Sequence, residues 1–340
     1  MLLSICIPTF NRVDCLDDCL NSIFISHKQQ KNLDYEVCIS DNCSTEDSSK
    51  VVQKYKDKLR IKFNKNEKNL GFALNALKTI SMSSGEFVWM IGNDDLLLPK
   101  TLSKIENLIT NNKKEIEYFF INSYHLNSDY LLRFPKPFDT NMLPTNQMES
   151  ISKVKFNKQV DFWDVIDPKV SWDFLTGIYL SIFRRDKYLE NINIINFEEL
   201  KDNRFWSTSD NTLMHSKIIC SAFKNSKSYI CSEGLSVNRV GDREWGDLYE
   251  FIEIVRIPEI IDFYRSQGMN LYKYLYVKNF SLRNFLNYMV KIIIGGNKKG
   301  LNYINFKKHI LYNLIFPNIY LSIFSSLLRL LKKIIKKYIS

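Results

Sequence analysis

The 340-residue sequence predicts an α/β fold, a mainly parallel sheet with helices on both faces, extended by a helical C-terminal region. Three observations carry this expectation. Short apolar runs alternate with stretches of helical spacing over residues 1–123. Polar residues gather where each run ends. From Asp247 onward only helical spacing is left. Strand–helix alternation implies right-handed crossovers and a sheet buried on both sides.

Element by element, Leu2–Ile7 reads as a strand and Asp14–Ile25 as a helix with Leu16, Leu20, Ile23 and Phe24 on one face. Tyr35–Ser40 is a strand, and Glu46–Lys56 a polar helix capped by Ser44 or Thr45. Arg60–Phe63 is a short strand and Phe72–Ser81 a helix. Glu86–Ile91 is a strongly apolar strand, and Pro99–Thr110 a helix with proline in its first turn. Ile116–Ile121 closes the regular part. Ser123–Asp173 is irregular and too long for a simple linker, which marks a functional loop. Gly177–Phe183 reads as a strand, Phe205–Phe223 as mostly helix, and Lys227–Val237 as one or two strands. The expected organisation is a first α/β half over 1–123, a second half of the same domain over 124–246, and a helical basic region over 247–340.

Composition narrows the class. An apolar content of 45% and a charged content of 25% belong to a folded chain with a real core. Met1–Pro8 lacks the basic front and long apolar middle of a signal peptide, and no run of about 20 apolar residues suggests a spanning helix. Seven cysteines without a CxxC pair, and four dispersed histidines, support neither a disulfide framework nor zinc, so a reducing cytosol is expected. Asn42-Cys43-Ser44 is then a chance sequon. The net charge of +10 is local: residues 263–340 hold 14 Lys or Arg and no acid, against 33 basic and 37 acidic residues before them.

Ligands of an open parallel sheet sit beyond the carboxyl ends of its strands. There the sequence places Pro8, Thr9, Asn11 and Arg12 after the first strand, and Asp41 and Asn42 after the second. Asn66, Asn69 and Gly71 follow the third, and Gly92-Asn93-Asp94-Asp95 the fourth. Adjacent carboxylates beside a cleft suit Mg²⁺ or Mn²⁺, which keep coordination positions for water and phosphate oxygens. Alternatively Asp94 and Asp95 only end a strand and cap the next helix. No G-x-G-x-x-G follows the first strand and no P-loop occurs anywhere, so phosphate would be held by metal and basic side chains.

Ser4-Ile5-Cys6-Ile7-Pro8-Thr9-Phe10-Asn11-Arg12, Glu36-Val37-Cys38-Ile39-Ser40-Asp41-Asn42, Asn69-Leu70-Gly71-Phe72 and Gly92-Asn93-Asp94-Asp95 together resemble family 2 glycosyltransferases of the GT-A fold. The run Trp89–Asp95 resembles the abequosyltransferase-like branch, which acts in bacterial surface-polysaccharide assembly. The resemblance covers roughly the first 120 residues and fades afterwards. It implies that Pro8, Thr9 and Arg12 line a nucleotide, with Asn11 beside them, and that Asp41 accepts a hydrogen bond from the base. It places Asn69 and Gly71 near the diphosphate, Asp94 near the ribose, and Asp95 on the metal with Asp94 beside it. Asn93 departs from a third Asp common in relatives and removes one negative charge from the metal site.

The resemblance further implies inversion at the anomeric carbon, with a general base to take the acceptor proton. Three residues are candidates for the base. Asp210 opens a helical run but equally suits an N-cap; His215 equally suits a satisfied structural histidine; Asp173 lies beside Trp172. The donor is expected to be a nucleotide-sugar and the acceptor a saccharide, lipid-linked at the inner face of the cytoplasmic membrane. Residues 319–339 segregate Ile, Leu and Tyr from Lys and Arg, the pattern of an interfacial helix, although a terminal helix packed on the body would also show it. That segregation favours lipid over nucleic acid. Two rival classes stay open: a sugar nucleotidyltransferase, which should show a Gly- and Lys-rich phosphate loop, and a membrane-bound assembly subunit that has lost turnover.

Overall fold

The computed structural model describes residues 1–322 apart from 31, 203, 205 and 242–245. Two compact units emerge, one of Met1–Phe205 with Met214–Asp242, the other of Trp206–Leu213 with Arg243–Ser340.

The first unit is built on one ten-stranded sheet. In chain order it contains β1 (Leu3–Thr9), α1 (Val13–His27), β2 (Tyr35–Asp41), α2 (Ser48–Tyr55), β3 (Ile61–Lys65), α3 (Phe72–Ser81) and β4 (Phe87–Met90). Then come β5 (Leu96–Leu97), α4 (Thr101–Asn112), β6 (Tyr118–Asn127), β7 (Glu149–Ser150), β8 (Lys158–Asp161), α5 (Phe162–Val165), β9 (Ser181–Arg184) and α6 (Arg185–Glu190). After α7 (Ser209–Phe223), the strand β10 (Lys227–Val240) ends the unit. The main path is β3-β2-β1-β4-β9-β6-β10-β5.

The four strands at the β3 end are mutually parallel, as the alternation requires. Every side chain of β1, β2 and β4 is buried, so these strands lie covered on both faces. Beyond β4 the sheet becomes mixed, because β9 runs antiparallel to both β4 and β6. The stretch expected to be irregular contains the end of β6, two 3-10 segments at Ser128–Arg133 and Thr140–Met142, and the short β7, β8 and α5. The strand expected at Gly177–Phe183 begins only at Ser181: the Gly177 amide folds back onto the Asp173 carbonyl at 2.6 Å, and Ile178–Leu180 forms a 3-10 turn.

α2 also starts later than its spacing suggests. Neither Ser44 nor Thr45 caps it, because the Ser44 hydroxyl donates to Asp41 and Thr45 donates to Asn11. α7 breaks at Leu213 (φ −134°, ψ 38°), where the division into units falls.

The second unit is helical. α8 (Tyr249–Phe251) continues through a π turn at Ile252–Arg256 into α9 (Ile257–Ser266), followed by α10 (Leu271–Ser281) and α11 (Phe285–Gly295). A buried ionic group, Arg256 with Glu259 and Glu259 with His309, ties its ends together. No helix among the described residues is long and apolar enough to cross a membrane. Of the predicted interfacial helix at 319–339, residues 323–339 lie outside the described residues.

Candidate active site

Four loops leave the carboxyl ends of β1, β2, β3 and β4, and hydrogen bonds knit them into one surface. The Asn42 amide group donates to Asn69 Oδ1 at 2.8 Å, and Asn42 Oδ1 accepts from the Leu70 amide at 2.8 Å. Asn66 donates to Asn75 Oδ1 at 2.9 Å, and Gly71 N donates to Asn69 Oδ1 at 2.8 Å. Gly71 has φ 78°, which leads the loop into α3 in the left-handed region that glycine adopts without cost. Asn11, at φ 47°, accepts from the Thr45 amide at 2.8 Å, while its own amide donates to Ser44 Oγ at 2.9 Å. Such side-chain bonds to loop amides let an asparagine hold a positive φ.

Asp41 is fully buried. One oxygen accepts from the Ser44 amide and hydroxyl, the other from the Ser48 hydroxyl. In this arrangement its carboxylate orders the loop between β2 and α2 and does not itself face open space. Pro8 and Thr9 are also buried, whereas Arg12 and Asp94 stand partly open. Arg12 Nη1 lies 3.0 Å from Asp94 Oδ2 and joins the first loop to the fourth. Asn93, in place of a third Asp, donates to Thr9 Oγ1 at 2.7 Å and ties the same two loops from beneath.

The Asp94–Asp95 loop is braced from the far side of the sequence. The Asp95 carboxylate accepts from Gly92 N at 2.7 Å and from Asn238 Nδ2 at 2.8 Å, and Asp95 is 1% exposed. Arg239 Nε donates to the Asp94 carbonyl at 2.8 Å, and its Nη1 lies 3.1 Å from the wholly buried Asp18 of α1. Asn238 and Arg239 reach this loop because β5 pairs antiparallel with β10, setting Leu96 opposite Val237. A register shift between Cys231 and Ser236 re-aims the end of β10. Gly234 sits within that shift, where a Cβ would fall 2.2 Å from the Tyr124 ring.

The two carboxylates share a cradle at Gly92. A Cβ there would lie 2.6 Å from Asp94 Oδ1 and 3.1 Å from Asp95 Oδ2, so only glycine lets both close over it. Among the described residues no group of three or more His, Cys, Asp or Glu side chains is placed to hold an ion. Among the described residues the cradle offers the carboxylates of Asp94 and Asp95. That donor set fits Mg²⁺ or Mn²⁺, ions bound through one or two carboxylates with water and phosphate oxygens completing the shell.

The three candidate bases meet different fates. The cap of α7 is Thr208, whose hydroxyl accepts from the Asn211 amide at 3.2 Å, so Asp210 at the second helical position has no capping task. Asp173 pairs with His125 on β6 at 3.4 Å, both half-buried. His215 is a correction: its ring is 3% exposed, neither nitrogen has a partner, and burial lowers its pKa to about 4. Asp210 is likewise 3% exposed, so burial alone does not separate the two; the lowered pKa makes His215 the weaker proton acceptor. The sequence missed Asp18, Asn238 and Arg239, and nothing in their local spacing signals them.

A mixed, helix-covered sheet with a carboxylate pair after its fourth strand defines a GT-A-type α/β protein. Residues 4–165, just under half of the chain, match the family described as Glycosyl transferase family 2. The chain is 36% identical over 111 residues to the abequosyltransferase RfbV of Salmonella typhimurium, a match covering 32% of this chain and 33% of that protein. It thus spans about a third of that relative's length. Among solved structures, Staphylococcus aureus TarS 1–349 in complex with UDP superposes with a TM-score of 0.57 at 18% identity, covering 84% of this chain and 72% of that one. The mannosyltransferase PcManGT of Pyrobaculum calidifontis, in complex with GDP-Man and Mn²⁺, gives a TM-score of 0.50 at 13% identity, covering 96% and 86%.

Proposed function

We propose that the chain is an inverting glycosyltransferase that moves a sugar from a nucleotide-diphospho-sugar to a saccharide acceptor, lipid-linked, in bacterial surface-glycan assembly. The observation that carries this reading is the convergence of Arg12, Asn93, Asp94 and Asp95 at the ends of β1 and β4. On this reading residues 1–123 bind the donor, 124–246 supply the acceptor side, and 247–340 bring the protein to the inner face of the membrane.

Asp95 and Asp94 would hold the Mn²⁺ or Mg²⁺. When bound, the ion supplies Lewis-acid stabilisation of negative charge on the departing nucleotide diphosphate. The protein's own groups do the rest. Arg12 is the cation nearest the Asp94 carboxylate and is placed to meet phosphate. Asn69 and Gly71 present a loop whose shape is fixed by Asn42, which suits backbone approach to a diphosphate. Thr9 and Asn93 hold the floor beneath the nucleotide, with Pro8 just before the end of β1 and Asn11 fixing the turn after it. Asp41 acts through Ser44 and Ser48 on the loop beside the base.

Asp210 is the proposed base, since α7 is capped without it; Asp173, paired to His125, is the second choice. A carboxylate of either kind would take the acceptor proton as the new glycosidic bond forms and the diphosphate leaves. The relatives' substrates support the class, not the particular sugar: one is named for abequose, and one structure holds UDP.

The test is thermal unfolding of the purified chain against a panel of nucleoside diphosphates with Mn²⁺, Mg²⁺ or chelator. A metal-dependent rise for one nucleotide, absent in Asp95→Ala, supports the donor site. A well-folded protein that responds to no nucleotide with either ion would overturn it.

A further inference from the structure

Helix α10 is turned inside out. Its outward positions Leu271, Tyr272, Leu275 and Tyr276 recur at i, i+1, i+4 and i+5 and are all exposed, Tyr272 to 84%. Its inward positions include Lys278, 2% exposed, whose ammonium donates to the Pro258 carbonyl at 2.9 Å and to Asp262 at 2.6 Å. A surface helix in water normally shows the reverse, with the apolar stripe inward and lysines out.

Helix α11 is also largely apolar on its outside, apart from Lys291, which is 58% exposed and paired with Glu250. Phe285, Met289 and Ile292 point into the unit, while Val290, Ile293 and Ile294 face out, Ile294 to 81%. The segment after it continues the pattern, with Leu311, Tyr312 and Ile315 exposed. Of the twenty large apolar side chains left exposed among the described residues, fourteen lie between Leu271 and Leu321. They belong to neighbouring elements. Asn318 bonds to Asn279 of α10 through both its amide and its side chain, and the Leu286 amide of α11 donates to Ser322 Oγ at 3.3 Å. A concentration of this kind is far from the scattered exposed apolar residues of an ordinary monomer surface.

Charge selects the occupant. From Asp247 to Ser322 the chain has ten Lys or Arg against five Asp or Glu, a net positive charge that persists although Lys278, Arg283, Lys291, Lys299 and Lys308 pair with those acids. A second copy docked on the same face would set basic surface against basic surface. An anionic bilayer complements the charge, accepts the aliphatic side chains, and seats tyrosines at the headgroup level, where an aromatic body and a polar tip are both satisfied. We infer that the outward faces of α10 and α11, with the 311–321 segment, are a preformed docking surface for an anionic lipid bilayer. The described part of the second unit is thus itself the membrane-facing element, and it takes in only residues 319–321 of the sequence-predicted helix at 319–339. The inference deepens the membrane side of the function proposed above and rests on it only for the cytosolic, anionic leaflet.

The experiment is co-sedimentation of the full chain with phosphatidylcholine vesicles, with and without phosphatidylglycerol, at low and high salt. Two variants are compared, Leu271→Ser with Leu275→Ser on α10, and Ile293→Ser with Ile294→Ser on α11. All four positions are exposed, and unchanged thermal unfolding shows that each variant folds. Binding should need phosphatidylglycerol, weaken with salt, and fall at least tenfold in either variant, about what losing two inserted aliphatic chains costs. Equal binding by wild type and both variants would overturn the proposal. So would a wild-type chain that ignores every vesicle yet self-associates through the same residues. The nucleotide-dependent shift is measured on the same samples: retained in variants that no longer bind vesicles, it separates the surface from the donor site, and lost in all samples it faults the enzymatic reading alone.

Discussion

Replacing Asp18 tests whether the Asp94–Asp95 loop is held from a distance. Asp18 is 0% exposed and carries three contacts: Arg239 at 3.1 Å, Lys136 at 3.2 Å, and the Phe138 amide at 2.7 Å. In Asp18→Ala the 8%-exposed Arg239 keeps its charge but loses its partner, which costs about 3–5 kcal/mol where one half of a buried pair is removed. The Phe138 amide loses a charged acceptor, about 1–2 kcal/mol, and the 39%-exposed Lys136 adds little because water screens it. These overlap, and a net loss of about 4 kcal/mol is expected in urea unfolding followed by circular dichroism. Asp18→Asn keeps an acceptor for Phe138 and should lose about 3 kcal/mol. Adding Arg239→Met to Asp18→Ala removes the stranded charge, so the double variant should lose at least about 2 kcal/mol less than the two single losses combined. Because Arg239 also holds the Asp94 carbonyl, both single variants should bind nucleotide more weakly even where they stay folded. A loss under about 1 kcal/mol for Asp18→Ala, or strict additivity in the double variant, would refute the reasoning.

Three further outcomes follow from the same geometry. Asp95→Asn turns a carboxylate that accepts from two donors into an amide with one donor of its own facing Gly92 N or Asn238; about 1–3 kcal/mol of stability and the metal-dependent nucleotide shift should both be lost, read by thermal unfolding with and without Mn²⁺. His215 has its pKa lowered by burial to about 4, so as pH falls below 6.5 the unfolded chain takes up a proton first and the native state loses stability down to about pH 4. The loss is about 1.4 kcal/mol per pH unit in that window, roughly 2 kcal/mol between pH 6.5 and 5, and His215→Leu should remove it from urea midpoints measured at the two pH values. Asn93→Asp can keep its bond to Thr9 with the hydroxyl as donor and adds a negative charge beside Asp94; it should raise Mn²⁺ affinity in titration calorimetry with nucleotide present, whereas unchanged affinity would separate position 93 from the metal.

The parts of the site that were legible share a physical basis: they sit at strand ends. Once Leu3–Thr9, Tyr35–Asp41 and Phe87–Met90 are recognised as parallel neighbours, the residues following them must emerge on one edge, and Arg12, Asn42 and Asp94 do. What brings Asn238 to Asp95, and Arg239 to Asp18 and Asp94, is antiparallel pairing of the two-residue β5 with β10. A two-residue strand has no period, and partners 143 to 221 positions apart leave no local trace. Asp41 also stands at a strand end, but its engagement by Ser44 and Ser48 is a matter of loop geometry that the strand pattern does not signal.

The same distinction governs the second unit. The spacing of Leu271, Tyr272, Leu275 and Tyr276 shows in the sequence that they share a face of α10, but not which way the face points. Ordinary expectation turns it inward and Lys278 outward. The structure reverses this because the buried Lys278 ammonium reaches the Pro258 carbonyl and the 44%-exposed Asp262 carboxylate, which together offset part of the desolvation that lowers its pKa. With the lysine satisfied inside, the leucines and tyrosines are left outside. A helix that turns a lysine inward against a half-exposed carboxylate and its apolar side chains outward suits the lipid-facing role proposed above, so Lys278→Met, which leaves Asp262 to water, should keep folding near wild type while vesicle binding depends on the outer face alone.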